Sequence, residues 1–361
     1  MTRILHVFAS LDRGGAESRT MDIYRKIDKS KFQFDFVVNE RQQEYAFERE
    51  IKSLGGRIFP LPKRKFFACK KMWHELLTKH TEWQIIHIHH TSNAIAYIDT
   101  AKSLGRKTIV HSRTAGGDGS LKSYVKMLSR YPLRRKANYL FACSKEAAVW
   151  MFGKHSAKAH VIKNAIDISP FAYSSETRDF IRKKHDICDK LVIGHVGRFS
   201  PAKNHGFLID IFAQIHKKFP NAVLLLVGDG SLKADIERRV NENNLEDFVI
   251  FTGVRTDVAD LLQAMDLFLF PSLFEGLPGS VIEAQAAGLH CLISDTITNE
   301  VCITNLVKTL SLGLPPEKWA DEALAFTTKN RRDNSQLIRD AGFDVGDVAQ
   351  KLSEFYCNID N

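Results

Sequence analysis

The 361-residue chain lacks several features that would decide its class at once. It contains no run of about 18 apolar residues, so a membrane-spanning helix is not expected. Its six cysteines are scattered without a Cys-x-x-Cys pair, which argues against a zinc site and favours free thiols in a reducing compartment. The opening residues lead into a strand pattern without a signal-peptide pattern, so we expect a cytoplasmic protein.

Three short functional patterns are also missing. Neither half opens with Gly-x-Gly-x-x-Gly after its first strand, which counts against a nicotinamide-dependent oxidoreductase, and there is no Walker A sequence. No Asp-x-Asp occurs, which argues against nucleotide-sugar chemistry with a chelated metal. His87, His89 and His90 have no acidic partner nearby, so a strand edge is a better interpretation than a metal site. We therefore expect no metal and no cofactor.

Charge is distributed unevenly along the chain. The net charge is +9, but residues 1–170 hold 31 Lys+Arg against 15 Asp+Glu, whereas residues 171–361 hold 20 against 27. We therefore expect the first half to face an anionic partner, either nucleic acid or an anionic membrane surface. Residues 63–71 and 124–136 interleave basic and aromatic side chains, as proteins at a bilayer surface do. Solvated helix faces and single-stranded nucleic acid are the alternatives.

Apolar runs alternate with helical patterns over the whole chain. We predict strands at residues 3–9, 34–38, 85–89, 108–111, 140–144, 191–196, 222–227, 248–251, 267–270 and 290–293. Such alternation predicts parallel sheets covered on both faces by helices. The fold class is thus α/β, with two Rossmann-like doubly wound domains, 1–168 and 169–342, facing across a cleft. A final amphipathic helix is predicted from Val345 to Asn358.

The stretch from Phe274 to Gly288 carries the strongest functional signal. It follows a predicted strand and continues into a helix, with Pro278 suited to the first turn and Gly288 to the C-terminal cap. A helix N-terminus after a glycine-containing turn offers free N–H groups to an anion. Glu275 and Glu283 lie in this stretch and could contact different parts of one extended ligand. The alternative is a capped surface helix with two solvated glutamates.

Further candidates follow other predicted strands. Arg198 and Lys203 could together offset the charge of a diphosphate leaving group without a metal. Gly14 and Gly15 form a weaker phosphate-loop candidate, for which an ordinary strand-to-helix turn is the alternative. His111, at the carboxyl end of a strand, is predicted to face the cleft, although a lone histidine is more often structural.

Taken together, these residues resemble the retaining glycosyltransferases of family 4, whose two-Rossmann architecture is called GT-B. The resemblance covers nearly the whole chain and is greatest to the branch that makes capsular or exopolysaccharides. It is carried by the Glu-x7-Glu motif, the first glycine loop, the two cations and two further stretches: Glu275, Glu283, Gly14, Gly15, Glu17, Arg198, Lys203, 164–167 and 251–258.

The resemblance implies roles for residues of the second domain. Arg198 and Lys203 would bind the donor diphosphate and stabilise its charge as it leaves, without a metal. Glu275, with the N–H groups of Gly276 and Leu277 in the loop that ends at Pro278, would hold the transferred sugar. The remaining donor contacts would be Glu283 on the ribose and Val254 and Arg255 on the base.

The resemblance also implies roles in the first domain. The Gly14–Gly15 loop would approach the phosphates through the Gly15 amide, so cleft closure would complete the site. His111 would lie beside the donor sugar. Attack on the same face, without an assigned nucleophile, would retain the anomeric configuration. The last segment, 343–361, would pack back onto the first domain.

We therefore expect a hexosyltransferase that uses a nucleotide sugar, with a UDP-sugar favoured. The acceptor would be a polyprenyl-diphosphate-linked saccharide at an anionic membrane surface, with the protein bound peripherally to its inner face and no nucleic-acid partner. A nucleotide-sugar epimerase of the same fold and a basic nucleic-acid-binding protein are the alternatives.

Overall fold

Two compact units make up the computed structural model, which describes residues 1–62, 65–91, 94–114, 116, 131–327 and 331–359. The first unit comprises residues 1–165 and 345–361, and the second comprises residues 166–344. The boundaries predicted from the sequence, after residues 168 and 342, lie three and two residues from these divisions. All six cysteines are free thiols, as expected.

The first unit is built on a seven-stranded, wholly parallel sheet with the order β3-β2-β1-β4-β5-β6-β7. Its strands are β1 Thr2–Val7, β2 Phe32–Asn39, β3 Ile58–Leu61, β4 Trp83–Ile88, β5 Lys107–Ser112, β6 Tyr139–Ala142 and β7 Ala159–Val161. The five predicted strands are confirmed. The two strands at the edges, β3 and β7, are missing from the prediction.

Helices cover both faces of this sheet. In the described ranges they are α1 Gly15–Lys26, α2 Glu48–Ser53, α3 Phe66–Lys79, α4 Ala94–Ser103, α5 Leu133–Lys136, α6 Lys145–Phe152 and the C-terminal α14 Val345–Asn358. Ser144 caps α6 as predicted, accepting a hydrogen bond from the N–H of Ala147 at 3.0 Å. The predicted C-terminal helix is confirmed. It packs on α1 and buries Val348, Leu352 and Tyr356 in the core of the first unit.

The second unit contains a six-stranded parallel sheet with the order β10-β9-β8-β11-β12-β13. Its strands are β8 Leu191–Val196, β9 Ala222–Val227, β10 Val249–Phe251, β11 Leu267–Phe270, β12 His290–Ser294 and β13 Val307–Leu310. All five predicted strands are confirmed, and the edge strand β13 is again missing from the prediction. The described helices are α7 Ser175–Lys184, α8 His205–Lys218, α9 Lys233–Glu242, α10 Val258–Ala264, α11 Gly279–Ala286, α12 Pro316–Phe326 and α13 Ser335–Asp340.

The two predicted basic-aromatic stretches are described only in part. Residues 63, 64 and 124–130 lie outside the described residues. The remainder forms the start of α3, where Phe66 and Phe67 are 48% and 83% exposed, and the segment leading into α5, where Tyr131 is exposed. Both α3 and α5 pack against α4. Within the described ranges, no helix combines the length and apolarity needed to cross a bilayer.

Candidate functional site

The predicted site residues of the second unit gather where β8 and β11 end. These strands are neighbours at the point where the strand order reverses, and the crevice outside such a point is where open α/β sheets bind ligands. Lys203 follows β8 and Glu275 follows β11. The Nζ of Lys203 lies 2.7 Å from Oε1 of Glu275, and both side chains remain about one-sixth exposed, at 16% and 17%. The structure therefore brings these two predicted site residues together as an ion pair.

The ammonium group of Lys203 is held over an aromatic ring. It lies 4.4 Å from the ring centre of Phe270, the last residue of β11, in a cation–π contact. His195 and His205 are buried close by, and burial lowers the pKa of both, that of His205 to about 4. Neutral imidazoles do not compensate positive charge, so Glu275 is the anionic partner that holds Lys203 in place.

Glycine lets the loops after β8 and β9 approach closely. Gly228 has a φ of +140°, and a Cβ there would lie 2.1 Å from the carbonyl oxygen of Gly197. Phe199 donates its N–H to the carbonyl of Asp229 at 3.0 Å, which ties the loop carrying Arg198 to the loop after β9. Gly228 thus supports the backbone around the cations.

The loop between β11 and α11 positions both glutamates. Gly276, Leu277 and Pro278 are buried, and α11 begins at Gly279 directly after them. The N–H of Leu273 donates to the carbonyl of Ala202 at 2.7 Å, which joins this loop to the one carrying Lys203. Glu283 lies inside α11 and is only 7% exposed. A carboxylate buried at this depth is unlike the solvated surface glutamate that was the alternative.

The other predicted residues of the second unit are more open. Arg198 is exposed and forms no ion pair with any described carboxylate. Val254 is 59% exposed. Arg255 makes a bidentate pair with Asp257, at 2.7 and 2.5 Å, and this hydrogen bonding raises the pKa of Arg255. Its guanidinium is therefore occupied within its own loop.

In the first unit, Gly14 and Gly15 begin α1 where β1 ends, as predicted. Gly14 is the N-cap residue, and a Cβ there would lie 2.3 Å from a carboxylate oxygen of Glu17, so the glycine leaves room for that side chain. Apart from its chain neighbours and the backbone of its own helix, no heavy atom of the described residues lies within 4 Å of a Cβ built at Gly15. The backbone at Gly15 is therefore open to a ligand.

His111 is buried rather than open at its strand end, contrary to the prediction. It is 1% exposed, and its Nδ1 lies 3.0 Å from Nε2 of His87, whose Nδ1 lies 2.7 Å from the hydroxyl of Tyr356 on α14. The reason is the alternation of side chains along a strand. His111 shares its face of the sheet with Phe141 and His87, which the C-terminal helix covers.

Three buried imidazoles and one that is partly buried, His89, form what we call the histidine cluster: His6, His87, His89 and His111. Ring nitrogens of His6, His87 and His89 lie within 4.8 Å of one another, which is close enough for one metal ion. β4 lies between β1 and β5, so His87 is on an interior strand and the predicted strand edge is wrong.

The hydrogen bonds of the histidine cluster do not favour a metal. The Nε–H of Arg113 donates to Nδ1 of His89 at 3.2 Å, so the proton of His89 is on Nε2, which faces Nδ1 of His6 at 3.0 Å. A metal on Nε2 would move that proton to Nδ1, against the N–H of Arg113, and would add positive charge beside a guanidinium.

Comparison with known proteins decides the family. The family described as "Glycosyltransferase Family 4" matches residues 13–170, and "Glycosyl transferases group 1" matches residues 190–327. The chain is 34% identical to "Putative glycosyltransferase EpsF" of Bacillus subtilis (strain 168), an alignment that covers 99% of this chain and 96% of the relative. This chain belongs to glycosyltransferase family 4.

The names of two further relatives mention polysaccharide biosynthesis or a lipid-linked substrate. "Capsular polysaccharide biosynthesis glycosyltransferase CapH" of Staphylococcus aureus is 27% identical and 99% of each chain is covered. "UDP-Gal:alpha-D-GlcNAc-diphosphoundecaprenol alpha-1,3-galactosyltransferase" of Escherichia coli is 28% identical, covering 63% of this chain and 62% of the relative.

The solved structure of Anabaena Alr3699/HepE, in complex with UDP and glucose, shows the same fold. It superposes with a TM-score of 0.81 at 19% identity, covering 99% of this chain and 100% of the other. The fold of this glycosyltransferase is therefore GT-B, with two parallel-sheet domains. Family membership makes it a transferase rather than the epimerase that the sequence left as an alternative.

The sequence analysis missed several residues around these sites in the glycosyltransferase. Phe270 was assigned only to a strand, and Arg113, His6 and Tyr356 were not considered. One available signal for Arg113 was the alternation of β5 continued one residue past its end, because residues 111 and 113 would then point to the same side. No sequence signal indicates Tyr356, which reaches His87 across 269 residues of chain.

Proposed function

We propose that this glycosyltransferase moves a sugar from a UDP-sugar to a polyprenyl-diphosphate-linked saccharide, with retention of anomeric configuration and without a metal. The observation that carries the donor side is the contact between Lys203 and Glu275 at the ends of β8 and β11. It places a cation and a carboxylate together beside the N-terminus of α11, where an anion and a sugar would both find partners.

Lys203 and Arg198 are assigned to the donor diphosphate. The acceptor hydroxyl oxygen bonds to the anomeric carbon as the bond from that carbon to the diphosphate oxygen breaks. The hydroxyl proton passes to the departing diphosphate on the same face of the sugar. Lys203 and Arg198 offset the charge that develops on the leaving group, and this electrostatic role is why the proposal needs no metal.

Glu275 and Glu283 are assigned to the sugar and the nucleoside. Glu275 accepts hydrogen bonds from hydroxyls of the transferred sugar, aided by the N–H groups of Gly276 and Leu277 in the loop ending at Pro278. The depth of Glu283 suits a fixed acceptor for the ribose hydroxyls. Val254 and the backbone of Arg255 are assigned to the base, since the Arg255 side chain is held by Asp257.

In the first unit, we assign the phosphates to the open backbone of Gly15, with Gly14 allowing the turn. The buried position of His111 supports an indirect role, through the hydrogen bond to His87, rather than contact with the sugar.

The acceptor assignment rests on the surface of the first unit. Phe66 and Phe67 are exposed at the start of α3, next to Lys65 and Lys70, and α5 brings a second basic segment to the same supporting helix α4. Aromatic side chains at interfacial depth with lysines over anionic head groups would hold the enzyme at the membrane that carries its acceptor. The named substrate of the Escherichia coli relative supports a diphosphate lipid of this kind.

The test begins with nucleotide binding to the purified protein in EDTA, by calorimetry with UDP, GDP and ADP. We expect UDP to bind most tightly of the three. We also expect that binding to persist in EDTA, because the proposed site needs no metal. Transfer from a panel of radiolabelled UDP-sugars to lipid-linked saccharides on anionic vesicles then follows, with the product anomer read by NMR. Binding of GDP or ADP in preference to UDP would refute the donor, and an inverted product would refute retention.

A further inference from the structure

Arg113 occupies an unusual position where β5 ends in the first unit. Its guanidinium donates three hydrogen bonds, each to a neutral group on a different element. Nε reaches Nδ1 of His89 after β4 at 3.2 Å, Nη1 reaches Oδ1 of Asn164 at 3.1 Å, and Nη2 reaches Oγ1 of Thr20 in α1 at 3.3 Å. The side chain is therefore fixed, yet none of these partners offsets its charge.

No carboxylate among the described residues pairs with Arg113. Other arginines of low exposure do have one, as Arg3 has Asp35 and Arg182 has Asp266. Arg331 also lacks an acidic partner, but it donates to backbone carbonyls of Leu262, Gln263, Met265 and Ala287. Since a guanidinium has five N–H groups, two of those on Arg113 remain for another acceptor.

The neighbouring histidines are uncharged and leave the charge of Arg113 as it is. Burial lowers the pKa of His6 to about 3 and that of His89 well below its ordinary value, so both are neutral at physiological pH. Burial also lowers the pKa of Arg113 to about 10, which still leaves it protonated there. The nearby charge of Glu17 raises that pKa, but no described carboxylate forms an ion pair with Arg113. An anionic ligand would supply the direct partner that the guanidinium lacks among the described residues.

The location suits a ligand. β1 and β4 are neighbours where the strand order of the first sheet reverses, and Arg113 contacts residues that follow both strands. Arg113 is partly exposed, so a ligand can approach the guanidinium from outside the sheet edge. The cavity on its inner side is about 10 Å³, enough for one water and too small for a phosphate.

We propose that Arg113 binds an oxyanion of the acceptor, a phosphate or a carboxylate, at the carboxyl edge of the first sheet. This inference deepens the proposed function and rests on it, because the two cations assigned there to the donor diphosphate, Lys203 and Arg198, belong to the second unit. The planar guanidinium, held at three points, presents its remaining N–H groups as a fixed fork, which suits bidentate recognition of either oxyanion.

The experiment compares Arg113→Gln and Arg113→Lys with Arg49→Gln, which removes an exposed arginine paired with Glu44 in the same unit. A short-chain polyprenyl diphosphate and a glucuronate-containing disaccharide are titrated separately by calorimetry, with UDP at saturation so that the donor site is filled. We expect Arg113→Gln to weaken one of the two probes at least tenfold, Arg113→Lys to weaken it less, and Arg49→Gln to change neither.

Weaker binding of the polyprenyl diphosphate identifies the lipid phosphate as the source of the oxyanion. Weaker binding of the disaccharide identifies an acidic sugar. A folded Arg113→Gln protein that binds both probes as wild type does, or wild-type protein that binds neither, overturns the inference. UDP affinity, measured alone, reports separately on the donor site. Thr20→Val removes one tie of Arg113 but not its charge, so equal losses of probe affinity in both variants would indicate a structural role and also overturn it.

Discussion

The two units share a strand order but carry different chemistry at the equivalent place. In each sheet the order reverses between the first strand and the strand that follows the third, β1 with β4 and β8 with β11. At β8 and β11 the sheet ends in a paired cation and carboxylate, Lys203 and Glu275. At β1 and β4 it ends in neutral imidazoles beside the guanidinium of Arg113, which pairs with no described carboxylate. The same fold thus presents an ion pair in one unit and an arginine held by neutral groups in the other.

Acid is expected to produce the largest difference between the units. Burial lowers the pKa of all four imidazoles in the histidine cluster, whereas beside Lys203 in the second unit it lowers those of His195 and His205. Because the native state keeps them neutral, these imidazoles cost no stability above the unfolded pKa of about 6.5, and stability is lost as pH falls from there toward 3 for His6. More such imidazoles lie in the first sheet than beside Lys203, so we expect the first unit to lose more stability at pH 5 than the second.

Peptide-resolved hydrogen exchange at pH 7 and pH 5, corrected for the intrinsic rate, measures this difference. We expect protection to fall in β1, β4 and β5 before it falls in β8 and β11. His74→Asn, at an exposed position, should leave the pattern unchanged. Equal loss of protection in both sheets would show that the buried imidazoles do not set the acid response.

Removing the cation of the paired site should affect turnover most strongly. We expect Lys203→Ala to lower kcat by about 10²–10³-fold, because the leaving diphosphate loses an aligned positive charge. Initial rates at saturating donor measure it, with Lys218→Ala, which breaks only a surface pair with Asp321, as control. Full activity in a folded Lys203→Ala protein would end its assignment to the leaving group.

The buried glutamate of the second unit is expected to act on binding rather than turnover. Glu283→Gln should weaken UDP affinity by roughly 10–100-fold, since hydrogen bonds to a charged group contribute about 1.5–3 kcal/mol each. Calorimetry gives the affinity, and the exposed Glu237→Gln provides the matched control. Unchanged UDP affinity with a lower kcat would assign Glu283 to the chemistry instead of the ribose.

The smallest expected effect lies in the tie between the histidine cluster and the C-terminal helix. Tyr356→Phe leaves Nδ1 of His87 without its partner and should destabilise the first unit by about 1–3 kcal/mol. The melting temperature of the transition that includes α14 measures the loss, with Tyr131→Phe, at an exposed tyrosine, as control. An unchanged melting temperature would mean that water replaces the hydroxyl at no cost.

Local patterns were sufficient for most of the fold but not for the edges of the sheets. The ten predicted strands are apolar runs, and all ten are present because parallel strands are buried on both faces. The three missed strands, β3, β7 and β13, are all at edges, where one side needs no apolar residue. Pro60 within β3 and Lys308 within β13 are residues that edge strands tolerate and that obscure a strand pattern.

The same division applies to the sites. The sequence by itself determined the GT-B fold, the family and the positions of Lys203 and Glu275 after two strands, because those residues follow recognisable apolar runs. Tertiary structure alone decided that His111 is buried, that His87 and Tyr356 form a chain of contacts with it and that Arg113 pairs with no described carboxylate. The physical reason is that burial and pairing depend on which elements cover a sheet face. Here the cover comes from a helix at the other end of the chain, 269 residues from the histidine that it contacts.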